Sequence, residues 1–590
     1  MEVNEKSKFR SHSILEYSRI KEYITRRFDT ESAKINSIAI IIGLLTGLVI
    51  GVYDRALQYF STLFGMQRGF LVHEFPPYYV IFMPALGGLI VGIISYFLIK
   101  KRYGVDGLIE TVALRGAKLN LLDSFLEVFA SIITISSGGS LGKEAPGILA
   151  GAGTGAFVGR ILKSPEKQLQ ILLGCGAAGG IAAAFNAPLA GVVFVVEVIY
   201  GELETKTFIP IVISSVFATL VSSTIFGVQI IQIPSYVLVS PYKEFVLYLI
   251  LGLLAGIVST ILIRTLYYTK DFFSKIDIHP IFKPALGGLA VGTIGLFYPR
   301  VLGLGYDVIT DAISNQFTFK LMIILLFLKI LAFSLSLGSG GSGGSIVPSL
   351  FMGAMLGGAF GTAANVFFPG MIAESGAYAL VGMGAVFAGT ARAPLTAILI
   401  LFEITRDYNL ILPLMFACVL SNVMSNALYP ESIFTEGLRR KGFKIRKGRE
   451  VDIMSSMFVK DAMITHVQTV SEDKNVETLT VLMQVSRHVG FPVLDSKGKL
   501  SGIVTLSDLR SKVKSGEVNQ KIGDIATRNL EVAYPDETLD AVLRRFASKQ
   551  IGRLPVVDRE DKTTLLGLIT RSDIVNSYNK KVVETVRDKA

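Results

Sequence analysis

The chain has 590 residues, 51% of them hydrophobic and only 18% charged, with 58 glycines. So apolar a chain is not an ordinary soluble protein, and its glycine content suits closely packed membrane helices. The formal charge of +11 does not point to nucleic acid, because the basic residues flank apolar stretches instead of forming one patch, and two cysteines (Cys175, Cys418) and five histidines, without HExxH or CxxC, support neither a disulfide framework nor metal catalysis.

The first 35 or so residues are polar, do not read as a cleavable signal peptide, and carry Arg10, Arg19, Lys21, Arg26 and Arg27. Apolar runs then begin near Ile38 and end near Leu428, among them 38–52, 79–99, 208–227, 244–265, 319–337 and 395–403. Several are shorter than the roughly 20 residues of a full span, and many contain Gly or Pro. Arg439, Arg440, Lys441 and Lys444 follow the last run. By the positive-inside rule both ends are expected to be cytoplasmic.

GGSLGKEAPG at 138–147 stands out among these runs. Ionisable residues inside a bilayer are costly and mark transport pathways. The glycines and Pro146 around Lys143 and Glu144 predict a broken helix whose new N-terminus presents free N–H groups and the positive end of its dipole. Such an end binds anions. A carboxylate tethered there competes with a dissolved anion for the same donors, which makes Glu144 a candidate gate. A structural acid paired with Lys143 is the plainer alternative.

The apolar region repeats. PALGGL occurs at 84–89 and 284–289; GGSLGKEAP ending at Pro146 is echoed by GGSGGSIVP ending at Pro348; GCGAAGGIAAAFNAPLAGVVFVVEV (174–198) is echoed by GMGAVFAGTARAPLTAILILFEI (382–404). The order is kept and the offset stays between 200 and 206 residues, as in transporters built from repeats of interrupted helices. Beyond about residue 440 the composition turns polar with a strand–turn–strand–helix pattern, twice: FPVLDSKGKLSGIVTLSD (491–508) and LPVVDREDKTTLLGLITRSD (554–573), each preceded by a helical stretch, 475–487 and 537–549.

GGSLGKEAP, AAAFNAPLAGVVFVVEV, GSGGSGGSIVPSLFMGA and ARAPLTAILILFEIT resemble the CLC chloride channels and transporters, and the tail resembles a pair of cystathionine-beta-synthase (CBS) domains. The fold this implies is an all-α polytopic membrane domain, CLC-like inverted repeats with broken, tilted helices, plus a cytoplasmic α/β CBS pair. The expected domains are a cytoplasmic segment 1–35, a transmembrane anion-pathway domain 36–440 (halves roughly 36–230 and 240–440), a linker 441–456, CBS domains at 457–515 and 516–580, and a tail 581–590. The resemblance also implies a homodimer in the plasma membrane with one anion pathway per subunit, chloride as the transported ion, and no nucleic-acid partner.

Residue by residue, Glu144 matches the family's gating glutamate, and Lys143 a basic position that raises the local potential. Ala145 stands where GKEGP has its second glycine. Ile346 and Val347 match the second-half anion-binding stretch, acting through backbone N–H groups. An ungapped match sets RYGVDG (102–107) on the family's first anion motif, with Tyr103 at the central serine and Gly104 after it; a one-gap alternative puts Asp106 there, where a carboxylate repels an anion. Phe434 falls where a tyrosine ligand is usual. Simple packing of both rings is the competing reading.

Exchangers of the family carry FxxEE, and here FVVEV puts Glu197 at the first acid and Val198 at the second. Valine relays no proton. Glu403 mirrors Glu197 in the second half, which favours a structural role for both acids. The reading is therefore a CLC-type anion channel gated by a protonatable glutamate, with a proton-coupled chloride/H+ antiporter of the same fold as the alternative. In the tail Thr505, Asp508, Thr570 and Asp573 match the CBS nucleotide pattern, with Arg553 and Arg571 near phosphate; ATP, ADP or AMP is the expected regulatory ligand, and a packing-only CBS pair the alternative. A CBS-bearing divalent-cation transporter would need acidic clusters, and an enzyme a nucleophile–base pair; neither is visible.

Overall fold

A computed structural model describes residues 30–66, 78–114, 116–201, 205–227, 241–443, 457–486, 488–514 and 520–587. The basic residues Arg10, Arg19, Lys21, Arg26, Arg27 and Lys444, nearly all of the expected 1–35 segment, most of the 441–456 linker and the end of the 581–590 tail lie outside them. The chain divides into two compact units, with the change at Leu438 and Arg439.

Among the described residues the first unit is helical: α1 (Thr30–Leu63), α2 (Tyr78–Phe97), α3 (Val105–Leu114), α4 (Leu121–Ser136), α5 (Glu144–Ile161), α6 (Glu166–Phe185), α7 (Pro188–Phe194, continued as a π-helical turn Val195–Tyr200), α8 (Thr205–Val221), α9 (Pro241–Lys275), α10 (Lys283–Phe297), α11 (Tyr306–Ile313), α12 (Phe319–Gly338), α13 (Ile346–Phe367), α14 (Ser375–Ala391), α15 (Pro394–Thr405), α16 (Ile411–Leu428) and α17 (Glu436–Arg440). Nine helices there are long and apolar enough to cross a membrane. The apolar runs read from the sequence fall on α1, α2, α8, α9, α12 and α15. The glycine-rich helices α6 and α13 are also long enough, at 20 and 22 residues, with a lower mean hydropathy (1.4 and 1.5) than α1, α2, α8, α9 and α12 (2.0 to 2.6).

Local chemistry explains the breaks. In FNAPL and ARAPL, Asn186 (φ 54°) and Arg392 (φ 60°) end α6 and α14 in the left-handed conformation. Pro188 and Pro394 then open α7 and α15, where a missing N–H costs nothing and the fixed φ suits a first turn. Asn120 starts α4, its side chain accepting from Leu122 N–H at 3.1 Å, a standard N-cap.

The two halves pack on each other through a pseudo-twofold relation. α2 and α10 cross antiparallel at the PALGGL repeats: a Cβ on Gly88 would meet Pro284 O at 2.2 Å, and one on Gly288 would meet Pro84 O at 2.1 Å. Only glycine lets these backbones touch. Residue i meets j and its repeat partner returns the contact, as at a twofold interface.

The second unit holds a three-stranded sheet, β1 (Val470–Ser471), β2 (Gly490–Leu494) and β3 (Leu500–Thr505), with β1 parallel and β3 antiparallel to β2, and a hairpin of β4 (Arg553–Val557) and β5 (Leu565–Thr570). Helices α18 (Val476–Ser486), α19 (Leu506–Lys514), α20 (Ile522–Ile525), α21 (Leu539–Lys549) and α22 (Arg571–Arg587) pack around them. Both hairpins carry a register shift at the same repeat position, Val493/Leu494 and Val556/Val557. Val476, Leu479, Phe491, Val493, Val504 and Ile522 form the first core. The helices expected at 475–487 and 537–549 are α18 and α21.

Candidate functional site

The loops before α5 and α13 meet at the centre of the first unit. Gly142 N–H donates to Gly344 O at 2.9 Å and Gly344 N–H to Gly142 O at 2.7 Å, an isolated antiparallel bridge between the repeats. Ser140 N–H donates to Ser336 Oγ at 3.1 Å, and its counterpart Ser342 N–H to Thr134 Oγ1 at 3.2 Å. These crossed bonds fix two helix N-termini side by side. The first N–H groups of α5 (Glu144, Ala145) and of α13 (Ile346, Val347) have no carbonyl one turn back; Glu144, Ile346 and Val347 are fully buried.

Glu144 is the first residue of α5. Its Oε1 accepts the Tyr306 hydroxyl at 2.5 Å, and its Oε2, also buried, has no donor among the described residues. A Cβ on Gly142 would lie 2.6 Å from that Oε2, so the glycine leaves room for the carboxylate. Lys143 is not the partner of Glu144: its Nζ pairs with Asp54 Oδ1 of α1 at 2.8 Å and lies 5.9 Å from the centroid of the Tyr306 ring. The Lys143–Asp54 pair lines a cavity with Arg55, Gln58 and Asn186.

Tyr103 and Gly104 precede α3, and their N–H groups donate to Glu127 of α4, at 2.5 Å to Oε2 and 3.3 Å to Oε1. The Tyr103 hydroxyl oxygen accepts the Asn120 N–H at 3.4 Å. The helix start that the sequence assigns to an anion thus already carries a carboxylate. The buried ring of Phe434 stands edge-on to Phe194, centroids 6.3 Å apart.

Glu197 lies in the π-helical turn and reaches across to α15. Its Oε1 accepts Leu395 N–H at 3.2 Å, and its Oε2 accepts Thr396 N–H at 2.8 Å and the Thr396 hydroxyl at 2.7 Å. Glu403 does the reverse at α7, accepting Leu189 N–H at 3.0 Å and Ala190 N–H at 2.8 Å. Each acid caps a helix of the other half, where the dipole favours negative charge. Val198, beside Glu197, is buried.

The family profile described as "Voltage gated chloride channel" matches residues 98–426, and the CBS domain profile matches 459–515 and 522–580. The chain belongs to the CLC chloride channel family. A ClcB-like chloride channel protein of Ralstonia nicotianae is 33% identical over 395 residues, 65% of this chain and 91% of that one. The crystal structure of a slow cyanobacterial Cl−/H+ antiporter superposes with a TM-score of 0.63 at 27% identity, over 69% of this chain and 97% of that one. A eukaryotic CLC transporter, at 21% identity and TM-score 0.62, covers 92% of this chain and 98% of its own; it shows the fold alone. This CLC chain is thus a membrane-spanning protein of chloride transport, with two C-terminal CBS domains.

In those CBS domains Thr505 N–H and hydroxyl donate to Asp508 Oδ2 at 2.8 and 2.7 Å, and Thr570 N–H and hydroxyl to Asp573 Oδ2 at 2.9 and 2.6 Å. Each Thr–Asp pair closes the first turn of α19 or α22. Arg553 donates to Gly490 O at 3.0 Å, and partial burial holds its guanidinium below its ordinary pKa. Arg571 donates to Phe546 O at 2.9 Å over the Phe546 ring. Among the described residues no group of His, Cys, Asp and Glu has the makings of a metal site.

Sequence reasoning passed over Tyr306 and Glu127. The repeat itself held the signal for the first: GVDGLI at 104–109 and GYDVIT at 305–310 are counterparts, and α3 and α11 begin 201 residues apart, at Val105 and Tyr306. Glu127 had no such signal, being one of two acids, with Asp123, on the amphipathic α4.

Proposed function

We infer that this CLC protein is an anion channel in which the ionised Glu144 carboxylate obstructs an adjacent anion position between the starts of α5 and α13 and moves away from it on protonation. The N–H groups of Glu144, Ala145, Ile346 and Val347 are the donors, the field of Lys143 adds to theirs, and Tyr103, Gly104 and Phe434 line the inner stretch, where an anion competes with Glu127. Partial charges bind an anion firmly enough to select it and weakly enough to release it. The observation that carries channel over exchanger is Glu197: it is spent on the cap of α15, and Val198 beside it bears no proton. The chain works as a homodimer in the plasma membrane, both termini cytoplasmic. An adenine nucleotide at Thr505, Asp508, Thr570 and Asp573 of the CBS pair modulates it, taking over the hydrogen-bonding groups that now close α19 and α22.

A second reading, chloride/H+ antiport, draws support from the cyanobacterial antiporter at 27% identity. Proton flux in liposomes under a chloride gradient, with no proton gradient imposed, separates the two. Chloride flux without proton movement is the expected result. Uphill proton movement driven by chloride overturns the channel reading in favour of the antiporter.

A further inference from the structure

Tyr306 is held in place from both halves of the molecule. Gly305, just before it, has φ +83°, which disfavours any side chain, and a Cβ there would lie 2.7 Å from the Phe351 ring. The loop leading to it is pinned at three points. Lys329 of α12, fully buried, donates its Nζ to Val301 O at 3.0 Å and to Gly303 O at 3.1 Å. Ser140 Oγ donates to Val301 O at 2.7 Å, and Gly303 N–H to Gly138 O at 3.3 Å. Two of these three ties run to the GGSLGK loop of the first half. The strand of chain before α11 is therefore referenced to the same loop that begins α5, and Tyr306 meets Glu144 across the repeat boundary at 2.5 Å.

The two oxygens of Glu144 have unequal surroundings. Oε1 has the phenol; Oε2 is buried with no donor among the described residues. A hydrogen bond to an ionised acceptor is about twice as strong as one between neutral groups, so the phenol favours the ionised, seated carboxylate. An unpaired buried carboxylate oxygen is costly and is the position at which a proton relieves that cost. Protonation at Oε2 also removes the charge that strengthens the Tyr306 bond. The other titratable groups that face Glu144 are Lys143 beside it and Asp54 and Tyr53 of α1; Lys143 is paired with Asp54 and Tyr53 with Ser131.

We propose that Tyr306 is the latch of the Glu144 gate: its hydroxyl holds the ionised carboxylate in the closed position, and a proton arriving at Oε2 releases it. The latch rests on Glu144 being the gate. The test is chloride efflux from liposomes containing the full-length protein, measured across pH for wild type, Tyr306→Phe, Glu144→Gln and the double variant. Tyr306→Phe removes only the hydroxyl, and Tyr306→Leu serves the same comparison if that protein does not purify as a monodisperse particle. Loss of one hydrogen bond to a charged acceptor moves the acid-activation midpoint about one to two pH units upward, so efflux near neutral pH rises. Glu144→Gln gives a flat profile, and Tyr306→Phe adds nothing to it. A Tyr306→Phe curve that overlays wild type while Glu144→Gln is flat overturns the latch and leaves the gate standing. A shift that persists in the double variant also overturns the latch, because Tyr306 then acts elsewhere. A Glu144→Gln curve that titrates like wild type removes the gate itself, and the latch with it.

Discussion

Glu197 and Glu403 cap each other's half of the protein: Glu197 accepts the first free N–H groups of α15, and Glu403 those of α7. The two acids occupy equivalent repeat positions, 206 residues apart, and the helices they cap begin at Pro188 and Pro394, also 206 apart. Each carboxylate thus satisfies donors that a proline-initiated helix leaves open, and does so across the repeat boundary.

Replacing Glu197 with Ala leaves the Leu395 and Thr396 amides and the Thr396 hydroxyl without their acceptor. The expected cost is about 2 kcal/mol, seen as a lower melting temperature of the purified protein, and Glu403→Ala should cost a similar amount. If Glu197→Ala instead abolished a proton flux while leaving the melting temperature unchanged, Glu197 would be a relay and not a cap.

Gly142→Ala places a methyl group 2.6 Å from where Glu144 Oε2 now lies, closer than a carbon and an oxygen tolerate. The carboxylate then seats poorly, and chloride efflux at neutral pH rises above wild type. An efflux–pH profile identical to wild type would mean that Glu144 closes the pathway from some other position.

Glu127→Gln keeps the shape of the α4 side chain and removes its charge from the Tyr103 and Gly104 amides. Those N–H groups become easier for an anion to claim. Chloride should bind more tightly, by roughly 1 kcal/mol or more, in a calorimetric titration of the detergent-solubilised protein. Unaltered affinity would place the anion away from the start of α3 and leave Tyr103 and Phe434 as packing.

Asp508→Ala and Asp573→Ala each remove an acceptor for a Thr N–H and hydroxyl, so they loosen the first turn of α19 or α22 by about 1 kcal/mol besides weakening adenine-nucleotide binding. The Asn variants retain an oxygen acceptor and should recover much of the local stability. Calorimetry on the full-length protein separates the effects: nucleotide binding equal to wild type in both Ala variants would assign these pairs to helix capping alone.

Asp561 lies in the β4–β5 connection, outside the membrane region. The Thr563 hydroxyl, then the Thr563 N–H, and then Lys499 hold its carboxyl well below the usual carboxylate range. A carboxyl depressed in the folded state stabilises above its unfolded pKa, and that contribution fades as pH falls toward the folded value. Hydrogen-exchange protection in this hairpin should decline below about pH 4 in wild type. In Asp561→Asn it should be lower at neutral pH and change less on acidification; a parallel decline in both proteins would exclude Asp561 as the cause.

Much of this architecture is legible in one dimension. The doubled PALGGL, the GGSLGKEAP and GGSGGSIVP loops and the FNAPL and ARAPL breaks locate the repeats and the helix starts, because glycine and proline act on their own backbone and need no distant partner. The tail is equally plain, since its strand and helix periods are local. Less legible were the full lengths of α6 and α13, whose small residues lower their mean hydropathy to 1.4 and 1.5 while serving close packing.

Partner choice is another matter. The sequence by itself determined the repeats, the places where helices break, the acid at the start of α5 and the absence of one at Val198. Only the tertiary structure decided that Lys143 belongs to Asp54, that Glu127 sits on the Tyr103 and Gly104 amides, and that Tyr306 holds Glu144. The Lys143 and Tyr306 contacts join residues 89 and 162 positions apart. A carboxylate accepts from any donor within reach, so its partner is set by which helix ends the folded chain brings beside it, and no local pattern encodes that.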